Sequence, residues 1–268
     1  MAAPLELDPS SSALAYFGSE LRRYRSAAGL SQQRLGEMVN YTGALIGMIE
    51  TAKRMPSRDF AERCDEVLGT DGALGRLWPL VNRSNFPSWF REYVELEATA
   101  TSIRYFEPQN IPGLLQTEDY ARALMEACWS DSIDRRVAAR LERQRLLEHA
   151  TPQLWAIVDE AVVRRPVGGR DVMRAQLKRL LELMASRRIV LQVLPYDVGA
   201  HACSDGAMTV LGFNDGPDLV YVEVHGSGHL IEQAEAVQSA QYRYDLARAS
   251  ALSPEASAAK IEAVMEEL

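Results

Sequence analysis

Cysteine is scarce in this sequence. Cys64, Cys128 and Cys203 are odd in number, far apart and never in a C-x-x-C arrangement, which excludes a disulfide framework and a zinc ribbon. They read as buried free thiols. Long apolar runs are also missing: nothing approaches the roughly 18 residues that a membrane helix needs. The N-terminal MAAPLELDPSSSALAYF has neither the basic flank nor the apolar core of a secretion signal. A cytoplasmic chain with no membrane partner is expected.

Signatures of chemistry are equally thin. There is no Walker sequence and no G-x-G-x-x-G. His225 and His229 lie near Glu223, but Gly226, Ser227 and Gly228 put a turn between them and no third ligand is evident, so they read as surface residues at a hairpin end rather than a metal site. His201, Cys203 and Asp205 fall in a loop marked by Gly199, Ala200 and Gly206, a poor setting for a nucleophile and its base. Arg164, Arg165, Gly168, Gly169 and Arg170 precede a helix and suit an anion. An ordinary turn capped by Asp171 is the reading preferred there, since that carboxylate competes with any anion. No catalytic residue, metal or cofactor is expected, and the chain is not read as an enzyme.

What is present is a globular composition, with 47% hydrophobic and 25% charged residues over 268 positions, enough for two domains. The formal net charge of −8 is awkward for a nucleic-acid partner, because phosphate neutralisation provides most nonspecific affinity. Charge is arranged locally, however. Between positions 13 and 60, Arg22, Arg23, Arg25, Arg34, Lys53, Arg54 and Arg58 stand against Glu20, Glu37, Glu50 and Asp59, seven against four, a surplus of three.

That basic stretch contains LSQQRLGEMVNYTGALIGMIETAKR, residues 30–54, whose spacing predicts two short helices and a tight turn. Ser31 caps a helix of about nine residues with Leu35 and Val39 on one face. Asn40 tolerates the left-handed conformation of a sharp turn, and Thr42 caps a second helix carrying Leu45, Ile46 and Ile49. Gly36 costs roughly 1 kcal/mol relative to Ala inside a helix, so a second backbone is expected to cross there. Two crossing helices joined this way make a helix-turn-helix.

Residues 17–68, with LRRYRSAAGLSQQRLGEMV and IGMIETAKRMPS, resemble the XRE-type, lambda-repressor-like helix-turn-helix family. The resemblance implies double-stranded DNA as partner and a structural ion pair between Arg25 and Glu50. It also implies phosphate contacts from Gln32 and Thr42, with Gln33 beside them. Lys53 and Arg54, just past the second helix, suit charge-assisted phosphate contacts. The base-reading positions depart from the family pattern: Gly43, Ala44, Gly47 and Met48 are short or apolar, and none makes a bidentate bond to a base. Modest direct readout is expected, with sequence choice resting on dimer spacing, DNA shape or the N-terminal leader.

Around this motif, residues 1–12 read as a flexible leader and residues 13–76 as an all-α domain. Residues 77–88, rich in aromatics and proline, read as a connector that is neither floppy nor helical. Residues 89–268 read as a mixed α/β domain, so the chain is mainly α overall. Within it, a charged helix over 134–147 is expected to present its charges to solvent, and 189–194 to be a central strand. Strands over 208–213 and 219–224 are joined by Asn214, Asp215, Gly216 and Pro217, a hairpin signal. IPGLLQTEDYARAL, LWAIVDEAVVRRPVGG, LQVLPYDVGAH and ALSPEAS are similar to a C-terminal domain of unassigned function found in antitoxin-like regulators of high-GC bacteria. That resemblance implies a small partner protein. The expected function is a homodimeric transcriptional regulator. A partner-neutralising antitoxin and a sensor of a small-molecule effector are the alternatives.

Overall fold

The computed structural model describes residues 7–83, 86–149 and 151–268, so the first six residues of the expected leader lie outside it. The chain divides into two compact units, Met1–Pro87 and Ser88–Leu268. No helix among the described residues is long and apolar enough to cross a membrane.

The first unit is a bundle of α1 (Ala13–Ala27), α2 (Gln32–Met38), α3 (Gly43–Glu50), α4 (Arg58–Leu68) and α5 (Ala73–Arg83). Hydroxyl caps start the first four: Ser12, Ser31, Thr42 and Ser57 each accept from the backbone N–H three residues on. The fifth starts on Asp65 of α4, whose carboxylate accepts from Leu74 N at 2.9 Å and Gly75 N at 2.7 Å. Phe17, Leu21, Leu35, Ile46, Ile49, Phe60 and Leu74 form the core. The expected non-helical connector over 77–88 is overturned for its first seven residues. Leu74, Trp78 and Val81 recur at helical spacing, are buried, and carry α5 through Pro79. Trp78 Nε1 donates to the Pro56 carbonyl at 3.1 Å.

The second unit opens with α6 (Ser88–Thr99) and holds one mixed sheet of β1 (Ser102–Glu107), β2 (Gln153–Asp159), β3 (Ile189–Leu194), β4 (Met208–Gly212), β5 (Leu219–Val224) and β6 (Ser227–Ile231). The strand order is 3-2-1-4-5-6. The first three strands are parallel, linked by α7 (Glu118–Cys128) with α8 (Ile133–Arg143), then by α9 (Glu160–Arg164) with α10 (Arg170–Ala185). The last three form an antiparallel meander. One face, with Ile103, Tyr105, Ala156 and Leu191, packs with Tyr93, Leu177 and Leu180. The other, with Phe106, Ile157 and Val210, packs with Tyr244 and Ala247 of α11 (Ala234–Ser250). The chain finishes in α12 (Pro254–Glu267), capped by Ser253.

Several expectations change here. The strand at 189–194 is at the edge, not the centre. It is apolar because helices cover both its faces, and its open edge is met by Val193 N donating to Ser257 Oγ and Leu252 N donating to the Val193 carbonyl, both at 2.9 Å. His225 sits exposed in the β5–β6 hairpin turn as expected, whereas His229 lies within β6, opposite Val222. Asp171 does not cap α10. Gly169 takes that position without a side-chain bond, and Asp171 sits exposed in the first turn beside Arg174 at 3.3 Å. Cys64 and Cys203 are buried free thiols, whereas Cys128 is exposed. The helix expected over 134–147 stops at Arg143 and tightens into a 3₁₀ segment, Gln144–Glu148; its charges are not all solvated, since Arg143 is buried against Glu97.

Candidate nucleic-acid interface

The helix-turn-helix is held by one guanidinium. Arg25 Nε and Nη2 donate to the two Glu50 oxygens at 2.5 and 3.0 Å, and Nη1 donates to the Leu30 carbonyl at 2.7 Å. Glu50 is buried, which a carboxylate tolerates when a bidentate guanidinium meets it. Gln32 Nε2 adds a third donor at 2.7 Å. Four segments therefore converge on one ion pair: α1, α2 and α3 at the Glu50 carboxylate, and the 28–31 turn at the Arg25 guanidinium. The Gln32 side chain, read from sequence as a phosphate contact, is directed to Glu50 in this structure.

The turn between α2 and α3 forms as its residues dictate, with Asn40 left-handed at φ 61° and Thr42 capping Leu45 N at 3.2 Å. The crossing is closer than the turn alone requires. A Cβ on Gly36 would stand 2.7 Å from the Tyr41 carbonyl, and one on Gly43 2.8 Å from Gln33 Cα. A Cβ on Gly47 would stand 3.1 Å from Gln32 Oε1. Gly43, Gly47 and Glu50, at i, i+4 and i+7, thus form the stripe of α3 that faces α2. Two of the four expected base readers are packing positions.

The outward stripe is Ala44 and Met48, the latter 41% exposed, flanked by Thr42 and Thr51. Thr51 Oγ1 donates back to the Gly47 carbonyl at 2.8 Å. Helix α3 ends in a left-handed Ala52 at φ 55°, with Ala52 N bonded to the Ile49 carbonyl and Lys53 N to the Met48 carbonyl. This closure satisfies the last carbonyls and delivers Lys53 and Arg54, both exposed, directly beyond the outward stripe. Gln33 is exposed on α2, with its amide 3.4 Å from Glu37.

Sequence reasoning counted Arg22 and Arg23 only as charge. The structure gathers them with Ser19, Ser26 and Glu50 around a shallow cleft of about 340 Å³, at i, i+3, i+4 and i+7 along α1. That helical spacing was the available signal.

A helix-turn-helix domain family matches residues 17–78, and a domain of unknown function, DUF5753, matches residues 90–263. No curated protein and no solved structure matches the chain. The helix-turn-helix domain supports a DNA-binding regulator. Since the second match spans more than half its length, the chain belongs to the DUF5753 family, carrying that domain behind a helix-turn-helix.

Proposed function

We propose that the protein is a transcriptional regulator that binds specific duplex sites as a homodimer, its second unit supplying dimerisation and receiving a signal. The observation that carries the reading is the Arg25–Glu50–Gln32 clamp, which fixes α2 against α3 and leaves Ala44 and Met48 facing outward with Lys53 and Arg54 at their end. Short and apolar outward residues favour close approach and contact with thymine methyl groups over bidentate base recognition. Specificity then rests on DNA shape and on the separation of two half-sites, about 34 Å for recognition helices one helical turn apart.

A regulatory rather than catalytic role is supported by the state of the one cysteine that stands near a histidine and an aspartate. Cys203 is buried, its thiol pushed up to about 11 by desolvation and directed at the Arg243 carbonyl. Asp205 is engaged by Arg243.

The test is selection of bound fragments from genomic DNA, followed by titration of a selected fragment at two salt concentrations. Lys53→Ala with Arg54→Ala is expected to weaken binding to all sequences and to reduce the slope of log K against log salt by about 0.9 for each phosphate that is no longer neutralised. Unchanged affinity and slope would remove both residues from the interface.

A further inference from the structure

A groove in the second unit has a chemistry that is mixed in a particular way. It is an open groove of about 510 Å³ between the α8–3₁₀ segment and the end of α10. Leu141, Leu147 and Leu183 give it an apolar floor, and Arg145, Arg179 and Arg188 stand around it. Arg179 and Leu183 of α10 and its C-terminal cap Ser186 recur at i, i+4 and i+7, so one stripe supplies one wall. The other wall is pinned by Gln144, whose amide donates to the Gly113 carbonyl at 3.2 Å and the Gln116 carbonyl at 2.7 Å.

The three guanidinium groups differ in occupation. Arg145 reaches Glu142 at 3.3 Å, and Arg188 donates to the His149 carbonyl at 3.1 Å. The Arg179 guanidinium makes no hydrogen bond or ion pair among the described residues, although the residue is half-buried. Glu148 also lines the groove, so three positive charges against one negative leave a surplus of two. Leu141 and Leu147, partly uncovered over the buried Leu183 and beneath an unspent guanidinium, match a molecule with an apolar body and an anionic end. The volume is that of a small-molecule site.

We infer that this groove binds a small amphipathic acid, a carboxylate on a hydrocarbon or aromatic body, with the body on Leu141, Leu147 and Leu183 and the carboxylate taken by Arg179. Guanidinium pairs with carboxylate through two parallel N–H donors, a geometry a lysine cannot reproduce. An acid held there rests on the segment that also carries Arg143, the residue engaging Glu97 of α6.

The experiment is calorimetric titration of the full chain, without DNA, using decanoate and 1-naphthoate as anionic probes and decyltrimethylammonium as a cation of matched tail length. At least one acid is expected to saturate a single site while the ammonium does not. Arg179→Glu is expected to lower its affinity about tenfold or more, and added salt to lower it further. The far-ultraviolet spectrum and melting temperature of Arg179→Glu report whether it is folded. If it is not, Arg179→Gln, expected to lose affinity in the same direction, replaces it. Failure of both acids to bind, equal binding of the cation, or unchanged affinity in the folded variant would overturn the assignment. Because no DNA is present, none of these outcomes bears on the helix-turn-helix reading.

Discussion

Each unit buries an arginine against a glutamate, and the two pairs are built alike but surrounded differently. Arg25 meets Glu50 through bonds of 2.5 and 3.0 Å, and Arg143 meets Glu97 through two of 2.7 Å. Around Glu50 the remaining donor is the amide of Gln32, an exposed residue on a short helix. Around Glu97 the donors are two buried phenols, Tyr93 at 2.8 Å and Tyr105 at 3.1 Å. The Arg143 guanidinium lies 4.9 Å from the Phe90 ring centre and 5.7 Å from that of Tyr93. Burial alone would lower the Arg143 pKa, and the Glu97 carboxylate outweighs it, holding the guanidinium charged. Similar geometry therefore does not imply similar cost. What matters is the medium left around a charge once its partner is removed.

The largest effect is expected from Arg143→Ala. It orphans a fully buried carboxylate between aromatic rings and is expected to cost about 3–5 kcal/mol. At about 2–4 °C per kcal/mol for a domain of this size, calorimetry should record a clear fall in the melting temperature of the second unit. Arg25→Ala leaves Glu50 with Gln32 still in place and nearer to water, and is expected to cost about 1.5–3 kcal/mol in the first unit. Equal losses would break the comparison. Arg143→Met combined with Glu97→Gln sharpens it. With no charge left to orphan, most of the stability lost in Arg143→Ala should return.

A third carboxylate on the same sheet face tests the medium directly, because it has no guanidinium bonded to it. The Glu107 carboxylate makes no hydrogen bond or ion pair among the described residues, while nearby Arg140 is bonded to Gln116 Oε1 at 2.8 Å. Desolvation, and then the charge of Glu223, push the Glu107 carboxyl up to about 8. The folded protein thus holds a proton that the unfolded chain releases near the ordinary value of 4.5. Stability should fall as pH rises from there to about 8 and level off above it. Glu107→Gln is expected to flatten that slope and to raise the melting temperature at pH 8 by about 2–4 °C for each kcal/mol recovered. An unchanged pH profile would mean that the Glu107 carboxyl titrates in the ordinary range.

The Arg25–Glu50 pair was implied by the family resemblance, and that resemblance was legible because Ser31, Asn40 and Thr42 set the helix starts and the turn of the motif locally. The Arg143–Glu97 pair was not. In the sequence Arg143 is one of many charges on a helix whose periodicity predicts a solvated face, and only the packing of α8 against α6 turns it inward. The same limit applied to β3, where apolar continuity reported burial of both faces correctly but said nothing about strand order. Pro79 and the surrounding aromatics masked the Leu74, Trp78 and Val81 stripe of α5. The roles of Gly43 and Gly47 were hidden for a related reason: a residue without a side chain carries no pattern, so whether it reads a groove or admits a neighbour depends on which face the crossing helix occupies.

The smallest expected effect separates those two possibilities for the residue that joins them. Gln32 supplies Glu50 with a donor at 2.7 Å, and its carbonyl lies over the space that Gly47 leaves open. If the amide serves the clamp, Gln32→Ala should cost roughly 1 kcal/mol of first-unit stability. DNA affinity at saturating folded protein should then stay nearly unchanged. If it turns outward to a phosphate when DNA is present, stability should hardly move while affinity falls uniformly across sequences. The salt slope should be preserved, because a neutral amide displaces no counterion. Gly47→Ala provides the converse measurement. It narrows the space over which Gln32 reaches Glu50 and should reproduce the stability loss of Gln32→Ala, and the double variant should then add little to either single change. Additive losses would show that the glycine and the glutamine act independently, and would return Gly47 to the outward-facing role that its place in the recognition helix first suggested.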